Sequence, residues 1–85
     1  MEIQIENHTL ERAEERGTNE EEIRDTILTG VEIPGKRGRL GKAKVYAFNQ
    51  NRGNKYYEEK RVEVFYVIED STIITVTVYV FYGKW

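Results

Sequence analysis

Residues 72 to 82, Thr-Ile-Ile-Thr-Val-Thr-Val-Tyr-Val-Phe-Tyr, restrict the fold more than any other segment. Nearly every side chain there is β-branched or aromatic, crowded at χ1 in a helix and well accommodated on a pleated sheet. Strict alternation puts Ile74, Val76, Val78 and Val80 on one face and Ile73, Thr75, Thr77, Tyr79 and Phe81 on the other. A strand with apolar residues on both faces belongs inside a sheet. The rest of the chain must therefore supply neighbouring strands and a cover for at least one face.

The neighbours are legible upstream. Met1 to Glu6 alternates Ile3 and Ile5 with polar residues, a short strand signature. Asn7 is the expected N-cap of a helix beginning at His8, with Leu10 and Ala13 as its apolar stripe and Gly17 at its end. Thr18 is expected to open a second helix, Glu21 completing a capping box and Glu20, Glu21 and Glu22 favouring the positive end of the macrodipole. Ile23, Ile27 and Leu28 are its expected buried face; Gly30 and Pro34 end it. Gly35 to Gly41 reads as a glycine-rich basic loop. Strands follow from Ala43 to Phe48 and from near Lys55 or Arg61 to Ile68, separated by a turn over Asn49 to Asn54. Val62, Val64, Tyr66 and Ile68 share one face, and Glu69-Asp70-Ser71 turns the chain into the last strand. The expected order is β-α-α-β-β-β, an α+β domain over residues 1–85 with two helices packed on an antiparallel sheet. The opposite sheet face, bearing Tyr79, Thr77, Phe65 and Tyr46, is expected to be partly open.

The chain's net charge of −2 conceals a division. Residues 1 to 35 carry ten acids against Arg12, Arg16 and Arg24, and residues 36 to 85 carry ten bases against five acids. A polyanion would be drawn to the second half. Lys36, Arg37, Arg39, Lys42 and Lys44 place five cations within nine residues, either an anion-facing loop or a solvated one. No apolar run is long enough to span a bilayer, and Met1 to Glu6 lacks the basic start and apolar stretch of a signal peptide, so a soluble cytoplasmic protein is expected.

Several chemistries are poorly served. One histidine and no cysteine leave no metal-ligand pattern. Ser71, the single serine, lacks nucleophile-elbow glycines. Gly35 to Gly41 matches neither a phosphate-binding loop nor a dinucleotide fingerprint, so no cofactor is expected. Metal-free RNA cleavage remains open, because RNA carries its own nucleophile, the 2′-hydroxyl. The protein need only hold the strand, move protons and stabilise charge on the phosphate. His8, Arg12 and Arg16 recur at four-residue spacing on one helix side, which suits either a phosphate-facing row or surface ion pairs with Glu11, Glu15 and Glu20. Tyr79 and Tyr46 can stack on bases or donate a proton.

The string from His8 to Gly17, His-x-x-x-Arg-x-x-x-Arg-Gly, is followed by the acidic helix start Glu20 to Ile23, by Tyr46, and by Thr77-Val78-Tyr79. In that order these residues resemble a small prokaryotic domain family of unknown function, commonly placed among relatives of the RelE and ParE toxins. The resemblance spans His8 to Tyr79. It implies a RelE-like α+β fold and a metal-independent endoribonuclease, the toxin of a toxin-antitoxin pair, with RNA and a cognate antitoxin as partners. In that reading His8 is the candidate base or acid, Arg12 and Arg16 stabilise the phosphate, Tyr79 stacks or donates a proton, and Lys36, Arg37, Arg39, Lys42 and Lys44 track the backbone. The alternative is a non-enzymatic protein-binding module, or a ParE-like toxin acting through a protein partner. The chain continues past Tyr79 through Val80-Phe81-Tyr82-Gly83-Lys84-Trp85, a departure from the family pattern.

Overall fold

A computed structural model describes all residues, 1–85. In chain order the elements are β1 (Glu2–Gln4), α1 (Asn7–Arg16), α2 (Glu20–Thr29), β2 (Val31–Ile33), β3 (Leu40–Arg52), β4 (Lys55–Glu69) and β5 (Thr72–Gly83). The fold is α+β, with two helices on one face of a five-stranded sheet ordered β1-β5-β4-β3-β2. The expected all-antiparallel sheet is corrected: β1 runs parallel to β5, pairing Ile3 with Ile73, and every other pair is antiparallel. A further strand, β2, lies where a loop was expected. Its residues Val31 to Ile33 pair with Ala43 to Gly41, and β3 accordingly begins at Leu40 rather than Ala43.

The face assignment of the last strand changes halfway along it. Phe65 pairs with Thr77 and Tyr66 with Thr75, which leaves Val76 as an extra residue opposite no partner. This β-bulge breaks the alternation. Ile73 and Thr75 face the helices before it, and Val78 and Val80 face them after it. The uniform face Ile74, Val76, Val78 and Val80 is therefore not formed. Thr77, Tyr79 and Phe81 lie outward.

The core is Ala13 of α1, Ile23 and Ile27 of α2, Val62, Val64 and Tyr66 of β4, and Ile73 and Val78 of β5. Full burial of an aliphatic side chain contributes roughly 1.5–3 kcal/mol, so these eight residues carry most of the apolar stabilisation. Leu28 and Ile68, expected inside, are 69% and 46% exposed. Leu28 lies off the Ile23, Thr26 and Ile27 stripe that α2 buries, and Ile68 is next to the last residue of β4. Thr9 and Thr75 are buried together instead. Thr75 Oγ1 donates to Thr9 Oγ1 at 3.0 Å and accepts from the Glu6 N–H at 3.0 Å.

The helix ends follow local chemistry with two corrections. Glu6, not Asn7, is the N-cap of α1, and it makes no side-chain cap. The start of α1 is held by the buried Thr75 hydroxyl instead. Asn19, not Thr18, caps α2, accepting the Glu22 N–H at 2.8 Å; Thr18 Oγ1 donates to the Glu22 carboxylate at 2.8 Å. Gly17 closes α1 at φ 96°, with the N–H groups of Gly17 and Thr18 both donating to the Ala13 carbonyl. A side chain at Gly17 would also collide with the Tyr82 hydroxyl.

The β3–β4 hairpin is long, and the molecule measures 43 × 23 × 22 Å. A second bulge, between Ala47 and Gln50, includes Asn49 at φ 47° and bends the hairpin. Together with β5, the hairpin caps the C-terminal end of α1. Arg52 Nη2 donates to the Glu15 carbonyl at 3.0 Å, Tyr82 Oη to that of Arg16 at 2.6 Å, and Lys60 Nζ to that of Gly17 at 2.8 Å. Two of the three donors are cations, the sign favoured at a helix C-terminus.

Candidate functional site

The outward sheet face is assembled from alternate residues of neighbouring strands. Pairing aligns Ile33, Gly41, Phe65 and Thr77 in one row across β2, β3, β4 and β5, and Val31, Ala43, Glu63 and Tyr79 in the next. Gly41 leaves room in the first row. A Cβ there would stand 2.9 Å from both Ile33 Cγ1 and Phe65 Cε1, so glycine lets the Phe65 ring lie across β3. Phe65 meets Tyr79 edge-on, with centroids 6.0 Å apart. Tyr79 stacks toward Phe81 at 6.4 Å.

The segment between β2 and β3 rims this face. Arg39 N–H donates to the Lys36 carbonyl at 3.2 Å, closing a turn whose middle residues Arg37 and Gly38 both have positive φ, 58° and 76°. That is the primed turn geometry. It places Lys36 and Arg39 beside the sheet and Arg37 at the tip. Pro34, Lys36, Arg39, Phe65, Thr77 and Tyr79 line an open groove of about 270 Å³. Neither Lys36 nor Arg39 pairs with a carboxylate. The groove thus combines an aromatic floor with uncompensated positive charge.

Arg16 reaches this site around the edge of β5. Beyond β1's short pairing with Thr72 to Ile74, that edge carries no strand and α1 runs beside it. Arg16 Nη1 donates to the Val78 carbonyl at 2.6 Å, and its guanidinium carbon lies 4.7 Å from the Tyr79 ring centroid. His8 acts on the same edge, its Nε2 lying 2.7 Å from the carbonyl of the bulged Val76. In the neutral ring this contact makes Nε2 the protonated nitrogen. Arg12, between them in the helix, turns to Glu15 at 2.7 Å and stays exposed.

The residues singled out in the sequence therefore separate into three groups. Tyr79, Lys36 and Arg39 line the groove, and Arg16 touches Tyr79. His8 and Arg12 are not among the lining residues, and His8 satisfies a strand carbonyl. Lys44 lies on the helix side, against Asp25 Oδ2 at 2.7 Å and Thr29 Oγ1 at 2.7 Å. Alternation places Lys42, opposite Val64, on that same side. Tyr46, expected on the open face, is likewise on the helix side. Its hydroxyl donates to Asp25 Oδ2 at 2.6 Å.

The Lys44–Asp25–Tyr46 cluster has its own electrostatics. The Lys44 ammonium and then the Tyr46 hydroxyl hold Asp25 below the usual carboxylate range. Burial, reinforced by the bond to Asp25, pushes Tyr46 up to about 12. Burial also raises Tyr66 and Tyr82. Lys60 is buried between Glu22 Oε1, at 2.8 Å, and the Gly17 carbonyl, an arrangement that sequence spacing did not suggest. Its only local signal is a lysine two residues before Val62 in the buried alternation of β4. No group of histidine, cysteine and acidic residues is arranged to hold a metal ion. No helix is long and apolar enough to cross a membrane.

No family model, curated protein or solved structure matches the chain.

Proposed function

We propose that the chain binds single-stranded RNA in the outer-face groove and acts as a metal-independent, toxin-like endoribonuclease on a RelE-like fold. The observation that carries this reading is the exposed Tyr79 ring. It is held by Arg16 at 4.7 Å and shares one groove with Phe65 and two carboxylate-free cations, Lys36 and Arg39. Aromatic floors stack on bases of any identity, and flanking cations neutralise phosphates. In the cleavage step the 2′-oxygen bonds to phosphorus and loses its proton as the 5′-oxygen leaves and gains one. The products are a cyclic phosphate and a 5′-hydroxyl. Lys36 and Arg39 stabilise charge on the phosphoryl oxygens, the Tyr79 hydroxyl donates the proton that the 5′-oxygen gains, and solvent water accepts the 2′ proton and returns one to the tyrosinate. His8 serves the fold by holding the β5 edge, so the proton-transfer role expected for it passes to Tyr79.

The test is fluorescence anisotropy of a labelled, unstructured RNA in EDTA, followed by analysis of the RNA ends. Tyr79→Ala lowers affinity by roughly 5- to 150-fold, the range for loss of one stacked base. His8→Ala binds as wild type does. Absence of RNA binding at low salt rejects the reading. Binding with intact RNA ends rejects the nuclease part alone.

A protein-binding module is the second reading. It is supported by edge strand β2, where Val31 is 64% exposed. An unpaired strand edge can accept a partner's strand. An antitoxin, or the target of a ParE-like toxin, docked there would be lost on Val31→Lys while RNA binding stayed unchanged.

A further inference from the structure

We infer that the bound strand does not stop at the groove but continues along β5 and past its end over a track of three rings, Tyr79, Phe81 and Trp85, and that the ligand is a uridine-rich single strand of about three nucleotides. The inference rests on the RNA reading above and adds its direction, footprint and base preference.

After the bulge at Val76, alternation puts Thr77, Tyr79, Phe81, Gly83 and Trp85 on the outward side in succession. The three rings are 41%, 47% and 53% exposed, Tyr79 and Phe81 at successive outward positions of β5 and Trp85 just past its end. Tyr79 and Phe81 lie within 29° of parallel. At Gly83 a Cβ would sit 3.7 Å from two Trp85 ring carbons, so the indole folds back along the strand over a position that glycine keeps low. The Trp85 N–H bond to Glu59 Oε1, at 2.7 Å, fixes the backbone that carries the indole.

Spacing selects the ligand. Outward residues two apart on a strand are separated by about 6.6–6.8 Å, twice the roughly 3.4 Å rise per base of a duplex strand. Each ring therefore receives one base only if the bases are unstacked from one another. A duplex cannot open in this way. Uridine, the weakest stacker, loses least on opening, which is the usual origin of pyrimidine preference on such surfaces. One base over Phe65 and Tyr79 in the groove and one each on Phe81 and Trp85 give about three nucleotides.

Positive charge favours the groove end for a polyanion. On this face Glu63 is ion-paired with Arg61 at 2.9 Å, while Glu59 accepts the Trp85 backbone N–H at 2.7 Å and keeps its charge near the far end of the track. Lys36, Arg39 and Arg16, none paired with a carboxylate, gather at the groove end. Three phosphate contacts correspond to a slope near −2 for log affinity against log salt.

The test is anisotropy with end-labelled oligouridines of two, four, six and eight nucleotides. It uses the wild-type chain, Phe81→Ala, Trp85→Ala and Phe81→Leu, the last keeping apolar bulk without a π-face. Affinity is expected to rise between two and four nucleotides and then level. Each ring variant should lower affinity for the tetramer about fivefold or more and leave the dimer unchanged. Trp85, more than half exposed, keeps the test open if Phe81→Ala disturbs folding. Equal affinity for dimer and octamer, insensitive to all three variants, confines binding to the groove. That result overturns the track while leaving the groove reading intact. A duplex or oligoadenosine binding as tightly as oligouridine overturns the ligand assignment. No binding of any oligonucleotide removes both readings. Self-association that Phe81→Ala abolishes, without oligouridine binding, assigns the face to a second copy of the chain.

Discussion

Arg16 and Tyr79 are joined across the edge of β5. The guanidinium of one covers the ring of the other at 4.7 Å while bonding the intervening Val78 carbonyl at 2.6 Å. One side chain thereby closes an open strand edge and orients the floor of the groove. Arg16→Ala removes both contacts. Its expected cost is about 1–2 kcal/mol by urea denaturation, from a strand carbonyl left to solvent and a lost cation–π contact. Arg16→Lys should recover the charge and not the stacking, since an ammonium lacks the planar face. RNA affinity therefore falls in both variants, and stability falls mainly in the first.

Lys60 is the buried cation on which the junction of the two helices depends, its side chain only 10% exposed and that of its partner Glu22 20%. Lys60→Met leaves the Glu22 carboxylate half-buried without its counter-charge and the Gly17 carbonyl without its donor. The expected loss is about 3 kcal/mol in denaturant unfolding. Pairing Lys60→Met with Glu22→Gln should cost less than Lys60→Met alone. Strictly additive losses would show that the two side chains do not interact.

Stability should decline at both pH extremes, for separate reasons. Asp25 has a depressed carboxyl, so its contribution is present above the ordinary carboxylate value of 3.8 and is lost as pH falls below it. Tyr46 titrates near 12 rather than 10.0, so its contribution is complete below pH 10 and disappears between about 10 and 12. Melting temperature followed across pH should show a shallower alkaline decline in Tyr46→Phe. A slope remains there, because Tyr66 and Tyr82 are raised as well. An unchanged alkaline slope would remove Tyr46 from the explanation.

The β4–β5 turn holds Asp70 at φ 50° and Ser71 at φ 64°. Two consecutive left-handed residues are the primed turn in which Asp-Gly is the favoured pair. Ser71→Gly should stabilise by about 0.5–1 kcal/mol through relief of the left-handed cost, read as a rise in the denaturation midpoint with an unchanged m-value. Ser71→Val, β-branched at the same φ, should move the midpoint the other way.

Much of the architecture follows from local chemistry that any reader of the chain can apply. Gly17 and Gly30 end the helices, the acids Glu20 to Glu22 sit in the first turn of α2, and Glu69 to Ser71 turn the chain. Alternation identifies Val62, Val64 and Tyr66 as buried. The candidate site was legible in part. Tyr79, Lys36 and Arg39 are aromatic and basic residues of the expected type, and the structure brings them to one groove. His8 and Arg12 share a helix side with Arg16, but helical spacing does not say what lies beside the helix.

By itself, then, the sequence determined element types, most of their ends and the α+β class, because propensity, capping and periodicity act within a few residues. Tertiary structure alone decided where strand alternation breaks. The single unpaired Val76 shifts the alternation of β5 by one between Thr75 and Thr77. A bulge is a property of two strands in register, and neither strand announces it alone. The same holds for β2, whose three residues become a strand only when Gly41 to Ala43 pairs with them, and for Lys44 and Tyr46, drawn to Asp25 from another element. The open face carrying Phe65, Thr77 and Tyr79 was legible from alternation; what the unpaired residue adds is the burial of Ile73 and Thr75 on the same side as Val78.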